Sequence, residues 1–333
     1  MRGKPGSASR DPGRVAPLHW CNVLRNTASD VLYGNRRHEE TCMVSGRTGV
    51  VTICFCIQLC TAAAAGTDTS AERGPGIAGL FQPYGELLAS HLEEKHLNGG
   101  GLVSAFRYQD ALADPRTGER IQTQRDQLAE FDPDRLQDKD AAIAFWLNAY
   151  NFFMVAHILE ERPGGELVDS VWDYGGRYNP FRANVFEREL FNVGGRQYSL
   201  DGIEKGTLLG EAFQEKGWKD ARVHFAVNCA SVGCPPLRDR AYTRDNVQAL
   251  LSENTRRALL TERHMRFAGE TLYLTQLFDW YEADFVEAAG SVRGFLKRHT
   301  DESRHPSIDA AAGIRFIDYD WALNSPDNDP AIE

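Results

Sequence analysis

Residues 138–165 read DKDAAIAFWLNAYNFFMVAHILEERPGG, and how this stretch folds decides the architecture. Asp138 or Asp140 stands where an N-cap carboxylate accepts the first free backbone N–H groups, and Pro163-Gly164-Gly165 ends the run. Between them apolar side chains wrap most of the helical circumference. A helix apolar on nearly every side is predicted to lie at the centre of the molecule. Trp146, Tyr150 and His157 share one stripe, while Asn148 and Asn151 lie on another face. Burying an amide without a partner costs about 1–3 kcal/mol. Asn148 and Asn151 must therefore find hydrogen bonds, and the backbone of a neighbouring loop is a better expected partner than a ligand.

Downstream, VFERELFNVGGRQYSL (185–200) reads as two strands about a Gly194-Gly195 turn. DGIE (201–204) has the form of a capping box, Asp201 at N-cap and Glu204 at N3, opening a helix to about residue 214. RVHFAVN (222–228) alternates, with Val223, Phe225 and Val227 on one face and His224, Ala226 and Asn228 on the other, which predicts a strand. A helix near 245–260, a hairpin about Gly269, helices near 276–287 and 291–299, and a last strand and turn over 314–324 follow. Trp280, Tyr281 and Phe285 are spaced as a core-facing stripe. Helices interspersed with hairpins, without strict strand–helix alternation, give an α+β class. The expectation is one domain over 77–325: a central buried helix, β-hairpins and a small mixed or antiparallel sheet, with a polar tail at 326–333.

The chain carries 37 basic and 47 acidic side chains, a formal net charge of −10. With no basic stripe, nucleic acid is not an expected partner. Residues 43–65 place Arg47 before an apolar run from Val50 to Leu59, then Ala62 to Ala65. That is the order of a secretory signal peptide, cleaved after Ala64 or Ala65, and the run is too short for the roughly 20 residues of a membrane-spanning helix. Residues 1–42 read as an upstream extension of the true start at Met43, or as a disordered tail; residues 66–76 read as a linker. Gln58 and Leu59 stand where a lipoprotein signal has small residues, which disfavours a lipid anchor on Cys60. The mature chain is thus expected to be exported, periplasmic or secreted, with no transmembrane span.

Of seven cysteines only Cys229 and Cys234 lie beyond that leader, within HFAVNCASVGCPPL (224–237). In an oxidising compartment two neighbouring cysteines favour a disulfide, and closing so short a loop stabilises by about 2 kcal/mol. The competing reading makes Cys229 a nucleophile, with His224 as base and Glu204 as the acid that orients it. On a strand, residues five apart face opposite ways. His224 then needs an intervening turn to reach Cys229, or His157 serves as base, with Asp279 or Asp320 as other orienting acids. A sharp turn through Ala230-Ser231 would aim backbone N–H groups, that of Ser231 among them, at an oxyanion. Asp320, in YDW (319–321), is expected to accept backbone or arginine hydrogen bonds. Four residues between the cysteines is not the Cys-x-x-Cys redox spacing, and no second Cys or His pair completes a metal site. No metal and no cofactor are expected.

The stretches AFWLNAYNFFMVAHIL (144–159), YSLDGIEKGTLL (198–209), ARVHFAVNCASVGCPPL (221–237), LFDWYEADF (277–285) and YDWALN (319–324) together resemble the family known as domain of unknown function 547. The resemblance implies a secreted bacterial protein of a signal peptide and this one domain, and supplies no catalytic residue or cofactor. Two functions stay open. One is a binding or interaction module of the cell envelope with a structural cysteine pair, whose partner is a protein or small molecule. The other is a thiol-dependent hydrolase or acyltransferase using Cys229.

Overall fold

The computed structural model describes residues 77–175 and 183–332; the expectations for residues 1–76 fall outside them. In chain order come α1 (Ile77–Leu80), α2 (Gln82–His91), β1 (Leu92–His96), β2 (Leu102–Phe106), α3 (Tyr108–Ala113), α4 (Thr117–Glu130) and α5 (Lys139–Glu160). Then follow β3 (Phe191–Val193), β4 (Arg196–Tyr198), α6 (Leu200–Ile203), α7 (Glu211–Glu215) and α8 (Val247–Leu259). The last third holds β5 (Met265–Ala268), β6 (Thr271–Thr275), α9 (Leu277–Trp280), α10 (Glu282–Ala289), α11 (Val292–His299), α12 (His305–Ala310) and β7 (Gly313–Ile317).

Asp138 caps α5, accepting the Ala141 N–H at 3.0 Å. Every residue from Ala142 to Leu159 is buried, as an all-round apolar helix requires. The helix is long and apolar enough to cross a membrane, but that surface is covered by protein. β1–β2 and β3–β4 are antiparallel hairpins. β6 pairs antiparallel with β5 and parallel with β7, so the third sheet is mixed and the class is α+β, as expected.

Two apolar clusters form the interior. The first surrounds α5 and takes in Val223, Ala226 and Val227. The second gathers Phe278, Phe285 and Phe295 with Leu272 and Leu274 of β6, and takes in Ala221 and Phe225. Residues 221–227 therefore run between the two clusters and feed both.

That position overturns the strand expected at 222–228. Ala221–Phe225 is a 3₁₀ turn, capped by Asp220, whose carboxylate accepts the Arg222 N–H at 2.9 Å. The alternation is one of residue type and not of burial: Val223 to Asn228 are all buried, so it does not mark a half-solvated strand. Without a ladder the backbone here needs other partners, and side-chain amides supply them. Asn151 of α5 donates to Ala226 O at 2.9 Å and accepts from Asn228 N at 2.8 Å. Asn148 does the same to Tyr242, at 2.7 and 2.8 Å. Asn254 of α8 donates to Phe225 O and to Pro236 O.

Three more expectations change. Ser199, not Asp201, is the N-cap before residue 200, accepting from Gly202 N at 2.9 Å, while Asp201 pairs with Lys205. The helix continues only as a π turn, Glu204–Leu208. Trp280 does not face the core: it is 44% exposed, whereas Phe285 is buried. In the segment expected to be a polar tail, Asp329 is buried and holds Arg263 at 2.7 Å, and Ile332 packs with Val103 and Ala105. The Gly194-Gly195 turn falls where the sequence places it, both glycines at positive φ (59° and 77°), with strands shorter than expected.

Asn151→Ala orphans one buried carbonyl and one buried N–H, so we expect a loss of about 3 kcal/mol of stability. Urea unfolding measures it. A loss below about 1 kcal/mol would show that these backbone groups find other partners.

Candidate functional site

The segment after the 3₁₀ turn is folded back on itself by its own polar groups. Asn228 Oδ1 accepts the Ala230 N–H at 2.9 Å and Asn228 Nδ2 donates to Pro235 O at 2.9 Å. Ala230 is the one non-glycine residue at positive φ (59°) among the described residues, a conformation that a side chain makes costly. The result brings Cys229 and Cys234 to disulfide distance. The Cys229 N–H donates to Cys234 Sγ at 3.0 Å.

The strand-like residues 319–324 lie along this loop. Val232 N donates to Ala322 O at 2.9 Å and Gly233 N to Asp320 O at 2.8 Å, with a backbone bridge between Ser231 and Leu323. A Cβ at Gly233 would sit 2.9 Å from the Asp320 backbone, so only glycine allows the approach. The contact sets Tyr319 over the sulfurs, its hydroxyl 3.1 Å from Cys234 Sγ and 3.3 Å from Cys229 Sγ.

His224 is 1% exposed. Its Nε2 meets Asp284 Oδ2 at 2.8 Å, its Nδ1 lies 3.7 Å from Glu204 Oε1, and its ring stacks on Tyr281 at 3.9 Å. Asp284 also holds Lys219 at 2.8 Å. Glu204 hydrogen-bonds the Tyr281 side chain. Burial, then the Glu204 charge, pushes the phenols of Tyr150, Tyr281 and Tyr319 far above the ordinary range, so all three remain O–H donors. Burial alone would depress the imidazole of His224, but Asp284 and Glu204 outweigh it and hold its pKa above the ordinary value.

The structure thus brings His224 and Glu204 together and gives Cys229 different neighbours, Cys234 and Tyr319. His157 packs edge-on to Tyr174 at 4.6 Å, with Glu161 at 3.6 Å. Asn148 and Asn151 serve loop backbone, Ser231 is buried in the bridge to Leu323, and the Asp320 carboxylate accepts the Ala322 N–H at 3.0 Å. Among the described residues no group of three or more His, Cys, Asp or Glu side chains is placed to hold a metal ion. Asp284, Lys219 and Tyr319 were not expected at the site from the sequence, and Tyr281 was expected only as a packing residue. Tyr281 and Asp284 stand in LFDWYEADF and Tyr319 in YDW, but only the fold carries them to His224 and the sulfurs.

Trp280 and Trp321 stack at 5.8 Å, Tyr319 packs on both at 5.0 and 4.5 Å, and Trp172 meets Trp321 edge-on at 4.9 Å. An aromatic group with one exposed indole therefore stands directly over the cysteine pair.

His224 fixes the sign of a pH dependence. A pKa raised in the folded state gives stabilisation that is complete below the unfolded value, about 6.5, and fades as pH rises through the folded value. His264 acts oppositely: burial, then Arg263, pushes it down to about 3, so its stabilisation holds above about 6.5 and is lost as pH falls. Above about pH 7.5, where His264 no longer titrates in either state, denaturant midpoints up to pH 9 should decline for the native chain, and more shallowly for Asp284→Asn. Equal slopes for the two proteins would remove His224 as the source.

No curated protein and no solved structure matches the chain. Residues 133–258, which hold α5, Glu204, His224 and both sulfurs but not Asp284 or Tyr319, match the model of a family described as protein of unknown function, DUF547. It is to that family, over that stretch, that the chain is similar.

Proposed function

We propose that this protein is an exported binding module whose contact face is the aromatic group of Trp172, Trp280, Tyr319 and Trp321. The observation that carries the reading is Trp280, 44% exposed at the outer edge of a packed aromatic stack. Exposed large aromatics that are already rigid present contact area at low entropic cost, which is why such residues anchor interfaces. The cysteine pair lies in the loop beneath Tyr319. Pairing of the only cysteines beyond the proposed leader supports a mature chain that meets an oxidising compartment.

The same geometry gives less support to thiol-dependent hydrolysis or acyl transfer. Cys229 is at bonding distance from Cys234, and the His224 side chain is fully buried between two carboxylates. In that state the sulfur has no free thiolate and the ring has no open side toward a substrate.

Two measurements test the reading. Mass spectrometry of the native protein should find the mature N-terminus at Ala65 or Gly66; a chain retaining residues 43–65 in the cytosol overturns export. A photo-crosslinking amino acid at position 280 should give a discrete adduct in intact cells, lost on Trp321→Ala. Labelling no greater than from position 119, on α4, would remove the aromatic face as a contact site.

A further inference from the structure

The loop that carries the cysteine pair is held in place without the sulfurs. Asn151, Asn228 and Asn254 bind its backbone at residues 225, 226, 228, 230, 235 and 236, and residues 319–324 bind it at 231–233. None of these hydrogen bonds involves a sulfur atom, so opening the bridge leaves the loop anchored.

The two sulfurs are not equivalent. Cys234 is 4% exposed, whereas Cys229 is only partly buried. Cys234 Sγ is the acceptor for the Cys229 N–H at 3.0 Å and for the Tyr319 O–H at 3.1 Å. Donors aimed at a sulfur stabilise its thiolate far more than its disulfide form, because a charged acceptor strengthens each bond. In exchange, the better-stabilised thiolate is the better leaving group, and the accessible sulfur is the one attacked.

We propose that Cys229 and Cys234 form a thiol–disulfide exchange centre, with Cys229 as the attacked sulfur, Cys234 as the leaving thiolate, and an external dithiol as substrate. A thiolate of the dithiol attacks Cys229 Sγ along the bridge axis. A bond forms between the two, the Cys229–Cys234 bond breaks, and its electron pair leaves on Cys234 Sγ beneath the two donors. The second thiol of the substrate, deprotonated to solvent, then attacks the substrate's own sulfur in the mixed disulfide and releases Cys229. The dithiol leaves as a disulfide, having lost two electrons to the cysteine pair and two protons to solvent; Cys229 takes up one proton from solvent, and Cys234 stays a thiolate under its donors or takes up the other. Tyr319 is a positioning residue here: it forms no bond to the substrate but holds the leaving sulfur. The proposal goes beyond the aromatic contact face and does not depend on it.

The test uses the full chain with dithiothreitol as the dithiol, read on the tryptic peptide 223–238, which holds both sulfurs between Arg222 and Arg238. The bridge should be reduced while the cooperative thermal melt persists, and Tyr319→Phe, which keeps the ring and removes one donor, should slow reduction about tenfold or more. With glutathione disulfide, Cys234→Ser should accumulate a mixed disulfide on Cys229, while Cys229→Ser should accumulate little on Cys234. Reduction only at temperatures where the chain has melted, or unchanged reduction in a folded Tyr319→Phe, overturns the proposal. So does equal capture on the remaining sulfur of this pair in Cys229→Ser and Cys234→Ser, a readout that stands even if Tyr319→Phe fails to fold.

Discussion

The structure depends on paying out hydrogen bonds to a backbone that lies in the core without a ladder. Residues 221–237 pass between two apolar clusters, where every unpaired N–H or C=O would cost as much as a lost hydrogen bond. The segment pairs with no strand of the three sheets. Instead α5 and α8 extend amides into the gap: Asn151 both donates and accepts, as a peptide group does, and Asn254 donates to two carbonyls. Asn151 is the pivot of this arrangement, since it fixes the two residues on either side of Val227. With that register set, Asn228 can turn the chain, Ala230 can hold its left-handed conformation, and the two sulfurs meet.

Charge is buried beside this loop under the same discipline. His224 lies between Glu204 and Asp284, and Asp284 is in turn held by Lys219. An ion pair in the interior recovers its desolvation cost only when its geometry is close and its remaining polar atoms are occupied. Here Tyr281 covers the ring face and hydrogen-bonds Glu204. Glu204 itself begins a π turn, Glu204–Leu208, a departure from α geometry. The Glu204 charge also raises the Tyr319 phenol, after burial, while the hydroxyl itself contacts the sulfurs.

Much of this was legible in the residues. The composition of 138–165 called for a helix covered on every side, and in this fold protein supplies the cover. Two asparagines in that helix had to be satisfied, and Gly194-Gly195 had to be a turn, for reasons that are local and steric. The error at 222–228 has a physical source as well. Alternation reports which side chains are buried only when one face meets water, and between two cores both faces are dry.

By itself, then, the sequence determined the elements whose causes are local: the helix, an aspartate cap at its start (Asp138 or Asp140), the glycine turn, the α+β mixture, and a cysteine pair close enough along the chain to meet. Only the tertiary structure decided that His224 faces Asp284 rather than Cys229, that Tyr319 stands over the sulfurs, and that Trp280 points outward. Those partners are 60, 85 and 90 residues apart in the chain. Contacts over such separations are set by how helices and loops pack, and no periodicity within one segment records them.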